Sequence, residues 1–298
     1  MKTLSKAPTL KVGAFYERGF SMFSYDKAYC YPKTNVLVNK FGIKNFDELS
    51  KTEEIITIEK IRELQISPVK GSFDIEHLKT IHKYIFQDIY EWAGKLRTVD
   101  IAKGNTLFAL ERHLESTADY IFTALKKENN LLDIKVTVDQ YTDRLAFYSG
   151  EINMLHPFRE GNGRSLREFL RCLANEAGYE LNWSGFDRKA VYNAFVKSTL
   201  DHKPLKEEFK KQFLENERKW YVNRYPHACF LSSGTLEKCI SINRAMGKKQ
   251  NLGQIKNLGD IPIHKDVLWD IVNDFKEAAL KYQRVNCKKI IKKIDLEL

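Results

Sequence analysis

Ten consecutive residues, His156-Pro157-Phe158-Arg159-Glu160-Gly161-Asn162-Gly163-Arg164-Ser165, with Arg167 two places further on, carry most of the chemistry this chain can do. His156, with an ordinary pKa of about 6.5, can take a hydroxyl proton at neutral pH. Glu160 offers a hard carboxylate oxygen of the kind magnesium uses beside substrate phosphates. Gly161 and Gly163 permit positive φ and a close approach of an anion to the main chain. Arg164 and Arg167 stand three apart on one helix face, and their guanidinium forks suit phosphate oxygens. Taken singly, each has a plainer explanation: a helix-end histidine, a tight turn, a solvated pair of cations. Together they fit the handling of a polyphosphate. An anion-lined loop with a base serves any attack of a hydroxyl on phosphorus, so the residues alone do not choose the reaction.

These side chains need two helices and a turn to hold them. Tyr141, Leu145, Tyr148, Ile152 and Leu155 recur at three- and four-residue spacings and predict a helix over 137–155. Pro157 disfavours helical geometry at His156, which should end it. Leu166, Phe169, Leu170 and Leu173 predict a second helix over 164–178, with Gly178 as its stop. Its first N–H groups have no internal partner and face the loop, an arrangement that favours anions. Phe158 is expected in the core. Further helices are expected at 45–64, at 74–93 with Ser72 or Asp74 as N-cap, and at 111–128, 187–199 and 204–220. Residues 97–109 alternate about a Gly104-Asn105 turn and predict a hairpin.

The loop matches the signature of the Fic family, HPFx(D/E)GNGRxxR, at every specified position, and the resemblance runs through about residues 30–215. Lys103-Gly104-Asn105-Thr106-Leu107-Phe108-Ala109 resembles the flap hairpin of that family. Tyr29-Cys30-Tyr31-Pro32 and Asn35-Val36-Leu37 resemble the start of Fic domains in translocated bacterial effectors. The resemblance implies a mainly α Fic-type helical bundle with a small β-hairpin flap. It implies transfer of AMP from ATP to a Ser, Thr or Tyr hydroxyl of a target protein, with pyrophosphate released. His156 would then be the base and Glu160 would hold magnesium. Gly161, Asn162 and Gly163 would cradle the α-phosphate, and Arg164 and Arg167 would grip the β- and γ-phosphates. Lys103, Gly104, Asn105 and Thr106 would line the nucleotide, and Tyr192 would face the base. A departure falls on that side: where relatives place a later asparagine, this chain has Thr199-Leu200. UTP, GTP or a choline-bearing diphosphate therefore stay open as donors.

The resemblance also implies partners. A target segment would pair its main chain with hairpin 97–109. Many relatives carry an inhibitory helix written (S/T)xxxE(G/N), and no segment here fits it. Ser233-Gly234-Thr235-Leu236-Glu237 is followed by Lys238, Glu215-Asn216 has Lys211 at the required spacing, and Thr123 is one place too far from Glu128-Asn129. A separate small inhibitor protein, or no restraint, is expected.

Composition sets the frame. With 298 residues and 43% apolar content the chain can build a sizeable core. No apolar run reaches the about 20 residues of a membrane span, and Lys2 and Lys6 lead into no signal-like stretch. The expectation is synthesis in a bacterial cytoplasm, with translocation into a host cell as a further route. Five dispersed cysteines argue against a disulfide framework or structural zinc, and Cys172 should be core. The net charge is +10, and residues 201–298 hold 20 Lys and Arg against 13 Asp and Glu. The expected organisation is an N-terminal arm at 1–29, a Fic domain at 30–220 and a basic C-terminal module at 221–298. In that module, Phe230-Leu231 and Ile240-Ser241-Ile242 suggest strands, by analogy a small β-rich barrel, and 266–285 a helix. Its charge could meet nucleic acid, anionic lipid or an acidic protein. A binding module with a vestigial Fic site is thus the competing reading.

Overall fold

The computed structural model describes residues 28–104, 106–132, 137–245 and 265–297. The arm expected over 1–29 lies outside them except for its last two residues. The described residues are mostly helical, and their strands form one two-stranded antiparallel sheet, so the mainly α class with a small hairpin holds.

The first helix, α1 (Phe46–Ile66), starts where the Asn45 side chain accepts the Glu48 N–H. Helix α2 (Ile75–Phe86) is capped by Asp74, which accepts the His77 N–H at 2.8 Å. It stops seven residues before the expected Ala93. The Ile89 carbonyl accepts from the Lys40 N–H at 2.9 Å instead of continuing the helix ladder, and the Tyr90 and Trp92 rings stack at 4.4 Å. Ile75, Leu78, Ile81, Ile85, Ile89 and Trp92 keep the apolar spacing of one long helix, but Ile89 and Trp92 reach the core from turns.

The hairpin is short: β1 (Ala102–Lys103) pairs with β2 (Thr106–Leu107), Lys103 opposite Thr106. A single 3-10 turn then leads into α3 (Leu114–Lys127). Helix α4 (Val138–Leu155) opens with a reciprocal cap, in which Thr137 and Gln140 each satisfy the other's backbone N–H. It ends at His156, which takes φ 46° and ψ 58°. Helix α5 (Asn162–Glu176) follows after five residues, and α6 (Arg188–Lys197) and α7 (Lys203–Arg224) complete the bundle. Helices α2, α4 and α5 meet in the centre, where Ile81, Ile85, Phe86, Leu145, Phe158, Phe169, Leu170 and Leu173 lose nearly all contact with water.

The C-terminal part corrects the sequence reading. Phe230 closes a 3-10 turn rather than a strand, and Ile240-Ser241-Ile242 lies inside α8 (Ser233–Ala245). Leu236, Cys239, Ile240 and Ile242 are buried at helical spacing. Three residues that alternate apolar and polar fit a helix face as well as a strand. Helix α9 (Lys265–Glu297) extends well past the expected end at 285. Helix α7 crosses residue 220 without a break, and its Tyr221 joins a second buried cluster with Ala228, Leu231, Leu236, Cys239, Ile271 and Ala278. Among the described residues no helix is long and apolar enough to cross a membrane.

Candidate active site

The turn from His156 to Arg164 is held from every side. His156 occupies the left-handed region, which a residue with a Cβ enters only when its surroundings impose it. Its Nδ1 lies 3.2 Å from the Asn153 carbonyl. A carbonyl can only accept, so Nδ1 carries the proton and Nε2 keeps a lone pair. The Phe108 ring, from the hairpin, stacks on the imidazole at 3.7 Å. Burial, and then the charges of Arg97 and Lys103, push the His156 pKa down to about 4, although the Asn153 bond opposes this. His156 is therefore neutral, a proton acceptor, at physiological pH.

Asn162 clamps the loop: its Oδ1 accepts the Phe158 N–H at 2.8 Å and its Nδ2 donates to the Phe158 carbonyl at 2.7 Å. The Asn162 side chain is occupied by the loop itself, so an anion would meet its backbone N–H at the start of α5. Gly161 takes φ +81°, and a Cβ there would stand 2.2 Å from the Phe86 ring. Gly163 does not use positive φ. It sits in the first turn of α5, where a Cβ would come within 3.3 Å of Arg167 Nη1.

The two arginines differ. Arg164 Nη2 lies 2.5 Å from Glu53 Oε1 on α1, Nη1 donates to Thr57 Oγ1 at 3.2 Å, and Glu160 Oε1 is 3.6 Å away. Glu53 also accepts the Tyr90 hydroxyl. Arg164 is thus already an ion-pair partner of α1 rather than a free cation. Arg167 is exposed at the mouth of the site, yet desolvation and then the charge of Arg164 lower its guanidinium pKa, and no carboxylate acts against them. With Arg164 paired, Arg167 beside a helix N-terminus leaves an unmet demand for negative charge.

Glu160 is half exposed, and its Oε1 accepts the Gly161 N–H at 2.9 Å. Its backbone carbonyl is fixed by His82, whose Nε2 is 2.9 Å away while Nδ1 accepts the Gly94 N–H at 2.8 Å. His82 is fully buried, stacks on Phe158 at 3.9 Å and has its pKa pushed down to about 4, chiefly by burial. Across the mouth, Lys103 Nζ lies 5.9 Å from the Tyr192 ring, so hairpin and α6 meet there with Tyr192 57% exposed. Gly104 forms the exposed tip at φ +57°, Thr106 is half-buried in β2, and Asn105 lies outside the described residues. Cys172 is buried and its thiol pushed up to about 12 by burial, consistent with core. Glu53, His82 and Arg97 were not expected at the site. A histidine within the apolar stripe of α2 is the one local signal that could have marked any of them.

A model of the Fic/DOC family matches residues 72–174, which include the hairpin and the whole motif. Protein adenylyltransferase VbhT of Bartonella schoenbuchensis is 41% identical over 177 residues, 59% of this chain but 37% of VbhT, so the chain spans little more than a third of that relative. The probable protein adenylyltransferase y4lH of Sinorhizobium fredii is 34% identical over 183 residues, covering 61% of this chain and 93% of that protein. Among solved structures, the N-terminal Fic domain of a VirB-translocated Bep effector of Bartonella quintana, crystallised with ADP, superposes with a TM-score of 0.58 at 26% identity. That match covers 61% of this chain and 92% of that one. Motif, hairpin, helical core and sequence relatives agree, and the chain belongs to the Fic/DOC family, whose members matched here are named protein adenylyltransferases.

Proposed function

We propose that this chain transfers AMP from ATP to a Ser, Thr or Tyr hydroxyl of a target protein and releases pyrophosphate. The observation that carries the reading is the pairing of a neutral His156, protonated at Nδ1, with an Arg167 that meets no carboxylate among the described residues, across a helix N-terminus. The target hydroxyl oxygen attacks the α-phosphorus, its proton passes to His156 Nε2, and the bond from the α-phosphorus to the bridging oxygen breaks. Pyrophosphate leaves with the electron pair. The N–H groups of Asn162 and Gly163 face the α-phosphate, and Arg167 meets the phosphates beyond it, with Arg164 contributing what its Glu53 partner leaves free. The α-phosphate, Lys103 and Tyr192 then place the base under the hairpin.

Magnesium fits this site only in company with a nucleotide. Glu160 gives one accessible carboxylate, and the described residues contain no group of three His, Cys, Asp or Glu able to hold a metal. Magnesium commonly takes one or two carboxylates and completes its shell from phosphates and water. When bound, it would neutralise charge on the phosphates.

The exposed hairpin edge supports docking of an extended target segment by main-chain pairing. Restraint by a separate inhibitor protein is supported by one observation: among the described residues Glu53 engages Arg164, while no carboxylate is paired with Arg167, an opening that a partner's acidic group could fill. Likeness to a VirB-translocated effector supports synthesis in a bacterial cytoplasm followed by translocation. The test is intact-mass analysis of lysate proteins, and of the chain itself, after incubation with magnesium and each nucleoside triphosphate in turn. A gain of one AMP from ATP alone is expected. A gain of another nucleotide, or no gain with any, overturns the reading.

A further inference from the structure

Arg97 is 2% exposed and heads the largest fully buried side chains of the molecule. Burial lowers its pKa, and Asp100 and Glu111 oppose this from a distance, with no ion pair to it among the described residues. Its guanidinium instead faces four main-chain carbonyls. Nε donates to His156 O at 2.8 Å, and Nη2 lies 3.5 Å from Leu155 O. Nη1 donates to Val99 O at 2.5 Å, and Nη2 donates to Ala109 O. The first two acceptors close α4 at the histidine. The other two belong to the two legs of the hairpin.

Main-chain bonds run beside these. Arg97 N–H donates to Pro157 O at 2.9 Å, and Ala109 N–H donates to Met154 O at 3.0 Å. Phe108, between the hairpin and the loop, covers the His156 ring. A buried cation without a counter-ion is costly, and an apolar residue of similar volume commonly folds as well or better. What an apolar residue cannot supply is a planar fork that reaches carbonyls on two elements at once. The carbonyls at the end of α4 also lack helix partners, so Arg97 acts as their cap in a place where Pro157 has no N–H to give.

We infer that Arg97 is a positioning residue for the transfer reaction: its fork locks the left-handed turn at His156 to both legs of the hairpin, so that base and docking edge keep a fixed spacing. The inference rests on the reading of His156 as base and of the hairpin as acceptor dock. The groups facing His156 are Arg97 and Lys103 as cations, the Asn153 carbonyl and the Phe108 ring. A loosened turn would let water reach the imidazole.

The test compares the full chain with Arg97→Lys, which keeps the charge and loses the fork, and with Arg97→Met, which keeps the bulk. Three quantities are read: ADP affinity by calorimetry, the His156 ring titration by NMR, and amide exchange at Phe108 and Ala109. Expected for both variants are ADP affinity within about threefold of wild type, a His156 pKa raised by about one unit or more, and exchange at Ala109 faster by about tenfold or more. AMP transfer falls by about tenfold or more with little change in KM for ATP. Unchanged titration and exchange in folded Arg97→Lys would overturn the inference, as would loss of ADP affinity in parallel with the rest. Should Arg97→Met not fold, Arg97→Lys decides. If wild type transfers no nucleotide at all, the functional reading fails, while titration and exchange still judge Arg97.

Discussion

Between His156 and Arg164 the chain is tied by the Asn162 clamp on Phe158, by His82 on the Glu160 carbonyl, by Glu53 on Arg164 and by Phe108 on the imidazole. The hairpin beyond Phe108 has two strands of two residues, and Ala102, Lys103, Gly104 and Leu107 are exposed. The two regions share a root at Arg97 and differ at every point beyond it. Proton transfer to a fixed atom demands a turn with one geometry, and that turn is built by removing alternatives. An acceptor of variable sequence is better met by an edge whose N–H and C=O groups remain unpaired. Rigidity and openness are thus divided between neighbours.

The largest effect should come from the base. His156→Ala is expected to lower AMP transfer by about a hundred- to ten-thousand-fold while ADP still binds, because the base is needed for the proton and not for gripping phosphate. Single-turnover rates with labelled ATP, set beside calorimetry with ADP, check this. Transfer at the wild-type rate would place the base elsewhere.

Two glycines allow a direct comparison of the regions. Both take positive φ, so alanine strains either one, but only at Gly161 does the new Cβ meet a buried ring; at Gly104 it meets nothing within 4 Å. Gly161→Ala should cost about 2–4 kcal/mol from strain and overpacking together, and Gly104→Ala about 1 kcal/mol. Urea denaturation gives both numbers. Equal losses would mean the turn is no more constrained than the tip.

Acid should loosen the turn first. His82 has an ordinary pKa of about 6.5 when unfolded and about 4 when folded. Between those values the unfolded chain binds the extra proton, so stability falls as pH drops from 6.5 towards 4, by about 1.4 kcal/mol per pH unit and about 3 kcal/mol in all. His82→Gln should be less stable at pH 7, having lost its fit, and show a shallower decline on acidification. An identical slope in denaturation midpoints at several pH values would show that His82 is not the group responsible.

A smaller effect than loss of the base is expected at Arg167. Arg167→Ala should weaken ATP binding more than AMP binding, by about 1.5–3 kcal/mol, since its fork is free to meet phosphates that AMP lacks. Calorimetry with both nucleotides tests it, and equal losses would remove Arg167 from the outer phosphates.

How much of this was legible in the sequence follows from distance along the chain. The motif was legible because its residues act within one turn and two helix ends, and Pro157 and Gly161 shape that turn locally. The groups that immobilise it are remote. His82 meets Glu160 across 78 positions, Arg97 meets His156 across 59, and Glu53 meets Arg164 across 111. No spacing rule pairs them, and Arg164 therefore read as a free phosphate grip. The clamp by Asn162 was not legible either: its amide closes its own loop on Phe158, a bond that only the folded turn reveals. In the C-terminal part, Ile240-Ser241-Ile242 was too short a pattern to distinguish a helix face from a strand.

Helix α7 has a consequence of another kind. Its first half packs on α4 and α6, its last turn belongs to the second buried cluster, and Leu214 touches both cores. The described part of the second cluster is therefore mounted on a rod, and a rod transmits phase. One residue inserted between Leu214 and Tyr221 would rotate everything beyond it by about 100° and advance it by about 1.5 Å. Evolution can lengthen a loop one residue at a time, but along this helix it must add whole turns or rebuild an interface.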